Sequence, residues 1–329
     1  MSLARFIARK FFESALTVFI GVTVAFFLFR LLPGDPTAAF LDIRLTPEAK
    51  MRLIEEFGLN KPLWEQYFIF IANLLRGNLG LSFVYSGMPV SKLIFGPKLF
   101  NTVVLMGLGM VISATIATFL GLLMGWRRGS RFDRVATSVS YAATSAPIFW
   151  IGLLILLVFA GYLRVIPASG TVSVELIEAD PFTRFVDYLW HLAGPLTVIV
   201  IYFLPSYLLY VRNTIVGILG EDFITVLKAK GLRDRTIMFG HLLRYALLTV
   251  VTLLALQSPL LVSGAIITET VFGWNGIGLL LYNSVLKSDY PVIQGIFILT
   301  IVVVVIANLL ADIAAAFIDP RIRLEGGRR

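Results

Sequence analysis

Apolar residues in this sequence gather into long stretches that no charge interrupts. Residues 14–29 form a run of 16 uncharged positions, and residues 101–126 form one of 26. Four more follow, with 29 residues at 135–163, 24 at 188–211, 24 at 245–268 and 22 at 290–311. At 1.5 Å per residue a helix needs about 20 residues to cross a bilayer core, and an apolar run of about 18 or more reads as a span. Five runs meet that length outright. Phe11, Phe12, Leu31 and Leu32 extend the first, and Arg30 can snorkel to the headgroups. The pattern predicts an all-α membrane protein with six transmembrane helices.

Between the first two spans lies the largest extramembrane segment, residues 33–98. Thr46-Pro47-Glu48 has the signature of a helix start, with a Thr cap, Pro in first position and an acid in the first turn. That helix is expected to reach about Phe57 and end at Gly58. A second, from about Leu63 to Leu75, sets Leu63, Tyr67, Phe70 and Leu74 at helical spacing, an amphipathic element suited to the membrane face or to a partner subunit. The chain thus divides into an N-terminal span with its helical segment (1–98), a five-helix block (99–317) holding a charged loop at 212–244, and a tail (318–329). Gly121 and Gly125 form a small-xxx-small pair, which either lets two helices approach closely or is incidental in a Gly-rich chain. Pro147, Pro195, Pro205 and Pro259 fall within or at the ends of spans, as ordinary kinks or as kinks lining a pathway.

Composition agrees with the runs: 58% of residues are apolar and only 15% are charged, against about 25% charged in soluble domains. The first run is too long for the core of a signal peptide and lacks a small-residue cleavage site after it, so it is expected to remain in the membrane. The chain has no cysteine, which excludes disulfides, thiolate metal sites and cysteine nucleophiles. The net charge of +8 could suggest nucleic acid, but its distribution does not. With the N-terminus inside, 17 Lys and Arg fall in the inner segments and 10 in the longer outer ones. Such an excess in short loops sets orientation, so both termini are expected in the cytoplasm.

The third inner loop holds the most specific chemistry. Glu221 and Asp222 precede a helical run, and Lys228 and Lys230 close it before Gly231, which complements a helix dipole at both ends. Gly231 suits the left-handed residue that terminates such a helix. Phe223, Leu227 and Lys230 are spaced to share a face, an apolar ridge flanked by cations. Ala229 and Leu232 complete the segment, which is shaped to sit in a groove on a soluble partner.

This stretch resembles the cytoplasmic coupling loop of ABC importer permeases. In the dipeptide/oligopeptide branch its pattern is approximately Asp-Tyr-x-x-x-Ala-x-Ala-Lys-Gly-Leu. Asp222-Phe223 and Ala229-Lys230-Gly231-Leu232 stand here in register. Four further segments resemble the same family in the same order: Phe29-Arg-Leu-Leu-Pro-Gly-Asp-Pro36; Gly58-Leu-Asn-Lys-Pro-Leu63 with Leu75-Arg-Gly-Asn-Leu-Gly80; Glu269-Thr-Val-Phe-Gly-Trp-Asn-Gly-Ile-Gly278; and Asp289-Tyr-Pro-Val-Ile-Gln-Gly295. Asn275 replaces a usual proline and Asn78 a usual aspartate. The resemblance implies a type I ABC importer permease fold that pairs with a second, homologous permease. It implies two cytoplasmic ATPases, which bind ATP and Mg, and an extracytoplasmic substrate-binding protein; this chain would carry no cofactor. The cargo it implies is peptide, or a related solute such as an oligosaccharide. Glu221, Asp222, Phe223, Leu227, Ala229, Lys230, Gly231 and Leu232 would then be the ATPase-coupling residues.

Several chemistries are missing. No Gly-Lys pair exists anywhere, so there is no phosphate-binding loop of the usual kind. His191 and His241 stand fifty residues apart with no zinc spacing between them, and no nucleophile–base constellation occurs. No acid lies near mid-span; Glu13 and Asp312 sit close to span ends, where a structural role is expected. The main alternative, a stand-alone secondary carrier or channel, would place carboxylates deep in the bundle. Glu269 is either an outer-vestibule residue or an interfacial acid. Gln257 and Asn308, polar and within spans, suit either pathway lining or contacts between helices.

Overall fold

A computed structural model describes residues 3–31, 61–85 and 87–318. The helix expected at 46–57, the motif residues beyond Leu31 as far as Asn60, and the tail from 319 lie outside the described residues. The first described elements are α1 (Leu3–Leu31), α2 (Leu63–Leu75) and α3 (Val90–Ile94), then α4 (Pro97–Trp126), α5 (Arg131–Ser145) and α6 (Ile148–Ile155). After α6 come α7 (Pro181–Ile218), α8 (Asp222–Ala229) and α9 (Asp234–Ile237). The remainder comprises α10 (Leu243–Gln257), α11 (Leu260–Ser263), α12 (Ile266–Val271), α13 (Ile277–Leu286) and α14 (Tyr290–Ile318). Among the described residues, five helical stretches are long and apolar enough to cross a membrane, and α5 with α6 supplies a sixth as a bent pair. The protein is all-α with six spans, as its apolar runs predict.

Two of those runs are not single helices. The run at 135–163 turns through 99° between α5 and α6. Ala146 precedes Pro147 and is extended (φ −79, ψ 130), as a residue before proline must be to avoid its ring. Beyond Ile155 the helix widens to π geometry over Leu156–Tyr162. The run at 245–268 also breaks, because Pro259 cannot donate a backbone hydrogen bond and Gly264 takes a positive φ of 78°. The fifth span instead starts early, at Asp234, and ends at Gln257. Pro195 and Pro205, by contrast, sit buried inside an unbroken α7 of 38 residues.

The chain divides into two compact units, one formed by the described residues up to Thr102, by Val262–Ile266 and by those from Gly276 onward, the other by Val103–Leu261 and Ile267–Asn275. In the first unit α1 lies along α14. A Cβ on Gly21 would come within 2.9 Å of Ile301, so glycine is what permits that approach. Lys10 bridges to Asp312 at 2.9 Å, and Arg9 to Glu13 at 2.7 Å. Both span-end acids are therefore held in ion pairs. Helix α2 spans Leu63–Leu75 as predicted, and its Tyr67 and Phe70 pack on Phe26 of α1 while the Tyr67 hydroxyl meets Thr23 Oγ1 at 2.8 Å. Val90, Ile94, Ile277, Leu280, Val292 and Ile296 make the apolar core of α3, α13 and α14.

One carboxylate organises the loop before α3. Asp289 is fully buried and accepts from Ser82 Oγ, from Phe83 N (3.0 Å) and from Val84 N (3.2 Å). Its placement depends on the end of α13. There Ser288 adopts φ +54, and Asp289 N reaches back to Ser284 O at 2.8 Å, closing the helix as glycine usually does. Burial, aided by the Asp289 charge, raises the Tyr85 phenol above its usual pKa.

The second unit centres on α7. Gly121 and Gly125 of α4 lie against Val211 and Ile215, whose Cβ atoms would stand 2.8 and 2.6 Å from an added Cβ. The small-xxx-small pair is thus a site of close helix approach and not incidental. Elsewhere Asp187 accepts from Ser173 N (2.6 Å) and Ser173 Oγ (2.9 Å), and Gly170 N bonds to Phe272 O at 3.0 Å, tying the 163–180 loop to α7 and α12.

Asp289→Ala should strand three buried donors at about 1–3 kcal/mol each. The expected result is a clear fall in the thermal unfolding temperature of the purified protein, whereas Ser288→Gly should raise it slightly by relieving a left-handed serine.

Candidate functional site

The loop between the fourth and fifth spans folds as the capped helix its charges predict. Glu221 is extended at the N-cap (φ −78, ψ 144) without a side-chain cap bond, Asp222 occupies the first turn and Lys228 the last. These charges meet the helix dipole with favourable sign at each end. The C-terminus closes in a Schellman turn: Gly231 N bonds to Lys228 O at 2.9 Å and Leu232 N to Leu227 O at 3.3 Å. Gly231 has φ +77, and no atom lies within 4 Å of where its Cβ would be. Glycine is needed there for conformation and not for space. Arg233 then opens α9, which passes through a π turn at Met238–Leu242 into α10.

Helix α8 is anchored on one side. Ile224 is 3% exposed, Phe223 and Leu227 are half-buried, and the Phe223 ring lies 6.2 Å from that of Tyr245 on α10. Lys228 Nζ sits 5.5 Å from the centre of the Trp126 ring at the end of α4, a cation–π contact. The opposite side, formed by Asp222, Thr225, Val226, Ala229 and Lys230, is exposed, with Val226 at 50%.

This geometry redistributes the residues singled out from sequence. Glu221, Asp222, Ala229, Lys230 and Gly231 are exposed, whereas Phe223, Leu227 and Leu232 are half-buried. The ridge formed by Phe223 and Leu227 faces the chain's own helices more than solvent. Sequence reasoning missed Ile224 as the anchor and Thr225 and Val226 as members of the open face. The available signal was three apolar residues at 223, 224 and 227, the spacing of a face that a helix buries first.

The three polar span residues are dispersed. Gln257 Oε1 accepts from the Tyr207 hydroxyl at 2.6 Å, joining α10 to α7. Glu269 is 0% exposed within α12, and its carbonyl accepts from Trp274 N at 2.8 Å. Asn308 is exposed on α14. Gln257 and Glu269 belong to the second unit and Asn308 to the first.

Several long apolar helices joined by short charged connectors define a multi-pass membrane protein. Residues 117–324 match the family of binding-protein-dependent transport system inner membrane components, and residues 3–93 match the N-terminal region of such components. The chain belongs to this family: it is a membrane-spanning, non-catalytic permease subunit of a binding-protein-dependent importer. It is 33% identical to the oligopeptide transport system permease protein AppB of Bacillus subtilis over 321 residues, 97% of this chain and 99% of the relative. It is 34% identical to the dipeptide transport system permease protein DppB of Escherichia coli K12, covering 97% of this chain and 98% of the relative. The di/tripeptide transport system permease protein DppB of Pseudomonas aeruginosa matches at 34% over 334 residues.

If Gly231 is chosen for its backbone alone, substitutions should rank by tolerance of the left-handed region. A β-carbon there costs about 1 kcal/mol or more, so the Leu232 amide should exchange about fivefold faster in Gly231→Ala and faster still in Gly231→Val. Gly231→Asn should stay near the parent, because asparagine accepts that conformation.

Proposed function

We propose that this chain and a second, homologous permease form the translocation pathway of an ATP-driven peptide importer. Two cytoplasmic ATPase subunits bind ATP and Mg, and an extracytoplasmic binding protein delivers the peptide. Helix α8 is the coupling helix on the cytoplasmic side, where both termini also lie. Closure of the ATPase dimer displaces α8 and switches the pathway between outward- and inward-open states, a two-state element biased by ligand bound elsewhere.

The observation that carries this reading is the two-sided build of α8. Ile224, Phe223 and Leu227 hold it to the permease, and Leu232 with Gly231 fixes its end. Thr225, Val226 and Ala229 are left as a shallow face that a groove can accept, rimmed by Asp222 and Lys230, with Glu221 at the helix start. The peptide cargo is supported by the relatives, which are named as oligopeptide, dipeptide and di/tripeptide permeases. Orientation is supported by the 17 Lys and Arg on the segments assigned to the cytoplasm. Gln257 and Glu269, engaged within the chain, act as packing groups in this reading. Asn308 is the polar span residue left open to a neighbouring subunit or to the pathway.

Ala229→Glu should place an unpaired carboxylate against the groove, at a cost that weakens binding more than tenfold. ATPase co-purification and peptide uptake into proteoliposomes should both fall while membrane insertion is unchanged. Ordinary assembly and uptake would remove the coupling role assigned to α8. For orientation, the cysteine-free chain allows single labels: Lys61→Cys should react with an impermeant maleimide in intact cells, and Thr236→Cys only after permeabilisation. The opposite pattern would invert the topology.

A further inference from the structure

A second feature of the unit that carries α8 is unexplained by packing. Asp133, in the first turn of α5, is 2% exposed and is engaged by four donors. Arg212 of α7 grips it with a bidentate fork, Nε to Oδ1 at 2.9 Å and Nη2 to Oδ2 at 2.8 Å. Gly129 N adds a bond to Oδ2 at 2.8 Å and Thr137 Oγ1 a longer one to Oδ1 at 3.4 Å. The pair therefore joins three pieces of chain: the turn after α4, the start of α5 and the last turns of α7.

Burying a carboxylate against a guanidinium that stays a quarter exposed is a poor way to gain stability, because desolvation offsets much of the attraction. What a bidentate Arg–carboxylate pair does supply is fixed geometry. Its location gives that geometry a use. Only Leu219, Gly220 and Glu221 separate α7 from α8, and Gly220 N and Glu221 N bond back to Gly217 O (3.1 Å) and Ile218 O (3.0 Å), so the connector continues from the end of α7. In the last turn of α8, Lys228 rests on Trp126 at the end of α4. Between them α4 and α7 touch backbone to side chain through Gly121 and Gly125.

We propose that Asp133 and Arg212 form a clasp that makes the adjoining ends of α4, α5 and α7 move as one body with α8. In this arrangement a displacement applied to α8 reaches all three spans together and is not absorbed where α7 ends. Both are positioning residues for coupling, acting through α8 and touching neither nucleotide nor cargo. The inference rests on α8 being the coupling helix.

The test uses the complete importer, with its ATPases and binding protein, in proteoliposomes. Arg212→Lys keeps the charge but loses the fork; Asp133→Asn keeps the shape but loses the charge. Peptide uptake and ATP hydrolysis are measured on the same assembled complexes and expressed as uptake per ATP. A clasp predicts that both variants assemble and hydrolyse ATP, while uptake per ATP drops at least fivefold, the lower end of ordinary coupling energies. Their hydrolysis should also lose its dependence on loaded binding protein. An unchanged ratio, with uptake and hydrolysis falling in proportion, would make the pair merely structural and overturn the proposal. Failure of both variants to yield any complex would overturn it too, by making the pair a folding element. Ala229→Glu, run in parallel, separates the two levels. If it assembles and transports normally, the assignment of α8 has failed and the clasp with it; if it alone is defective, only the clasp has failed.

Discussion

The membrane-spanning helices answer to one constraint: inside hydrocarbon a backbone N–H or C=O with no partner costs several kcal/mol, so each must be satisfied within the protein. Helices meet the constraint by themselves, which is why most of the described residues are helical. The places where helices stop are therefore the informative ones. At Ser145–Pro147 the chain turns using a residue that has no N–H to satisfy. At Gly231 and Ser288 left-handed residues fold the last carbonyls back onto the chain. Asp187, Asp289 and Asp133 take up backbone donors of other connecting segments, at Ser173, Phe83 and Gly129.

The two acids beside the spans show how polar groups are used sparingly. Asp289 collects donors from a loop more than two hundred positions earlier, and Asp133 collects a guanidinium 79 positions later. Each links elements that are remote in sequence and adjacent in space. Neither sits at mid-span, so their full complement of donors is reached without placing an isolated charge in the bilayer core. A carrier driven by protons would need such groups in the pathway; here they hold backbone in place.

Much of this was legible before the structure. Uncharged runs gave six spans because charge is excluded from hydrocarbon wherever the protein does not pair it. Helix α2 was legible from its spacing, and α8 from acids at one end and Lys-Gly at the other, since those signals are local. The interruption of the third span was visible as Pro147 but not its 99° angle, which depends on what α5 and α6 pack against. The fifth span was misplaced because a run of apolar residues does not distinguish one helix from three short ones separated by Pro259 and Gly264. The orientation of α8 was hidden for a related reason: Phe223 and Leu227 read as an open ridge until Tyr245 and the buried Ile224 show which side the permease keeps.

Helix α8 has eight residues, too few to hold its shape in water unaided. Its stability must come from the face it gives to its own spans, so the face left for a partner is the residue of that requirement: a threonine, a valine and an alanine. In the coupling role proposed for α8, small side chains would bring the helix backbone close to a covering groove, and a close backbone contact transmits displacement with little slack. Rigid anchorage behind the helix and a shallow surface in front are two consequences of the same short sequence. A longer helix could fold without its anchors and would then be free to move without the spans. Shortness is what ties α8 to the membrane-spanning body that carries it.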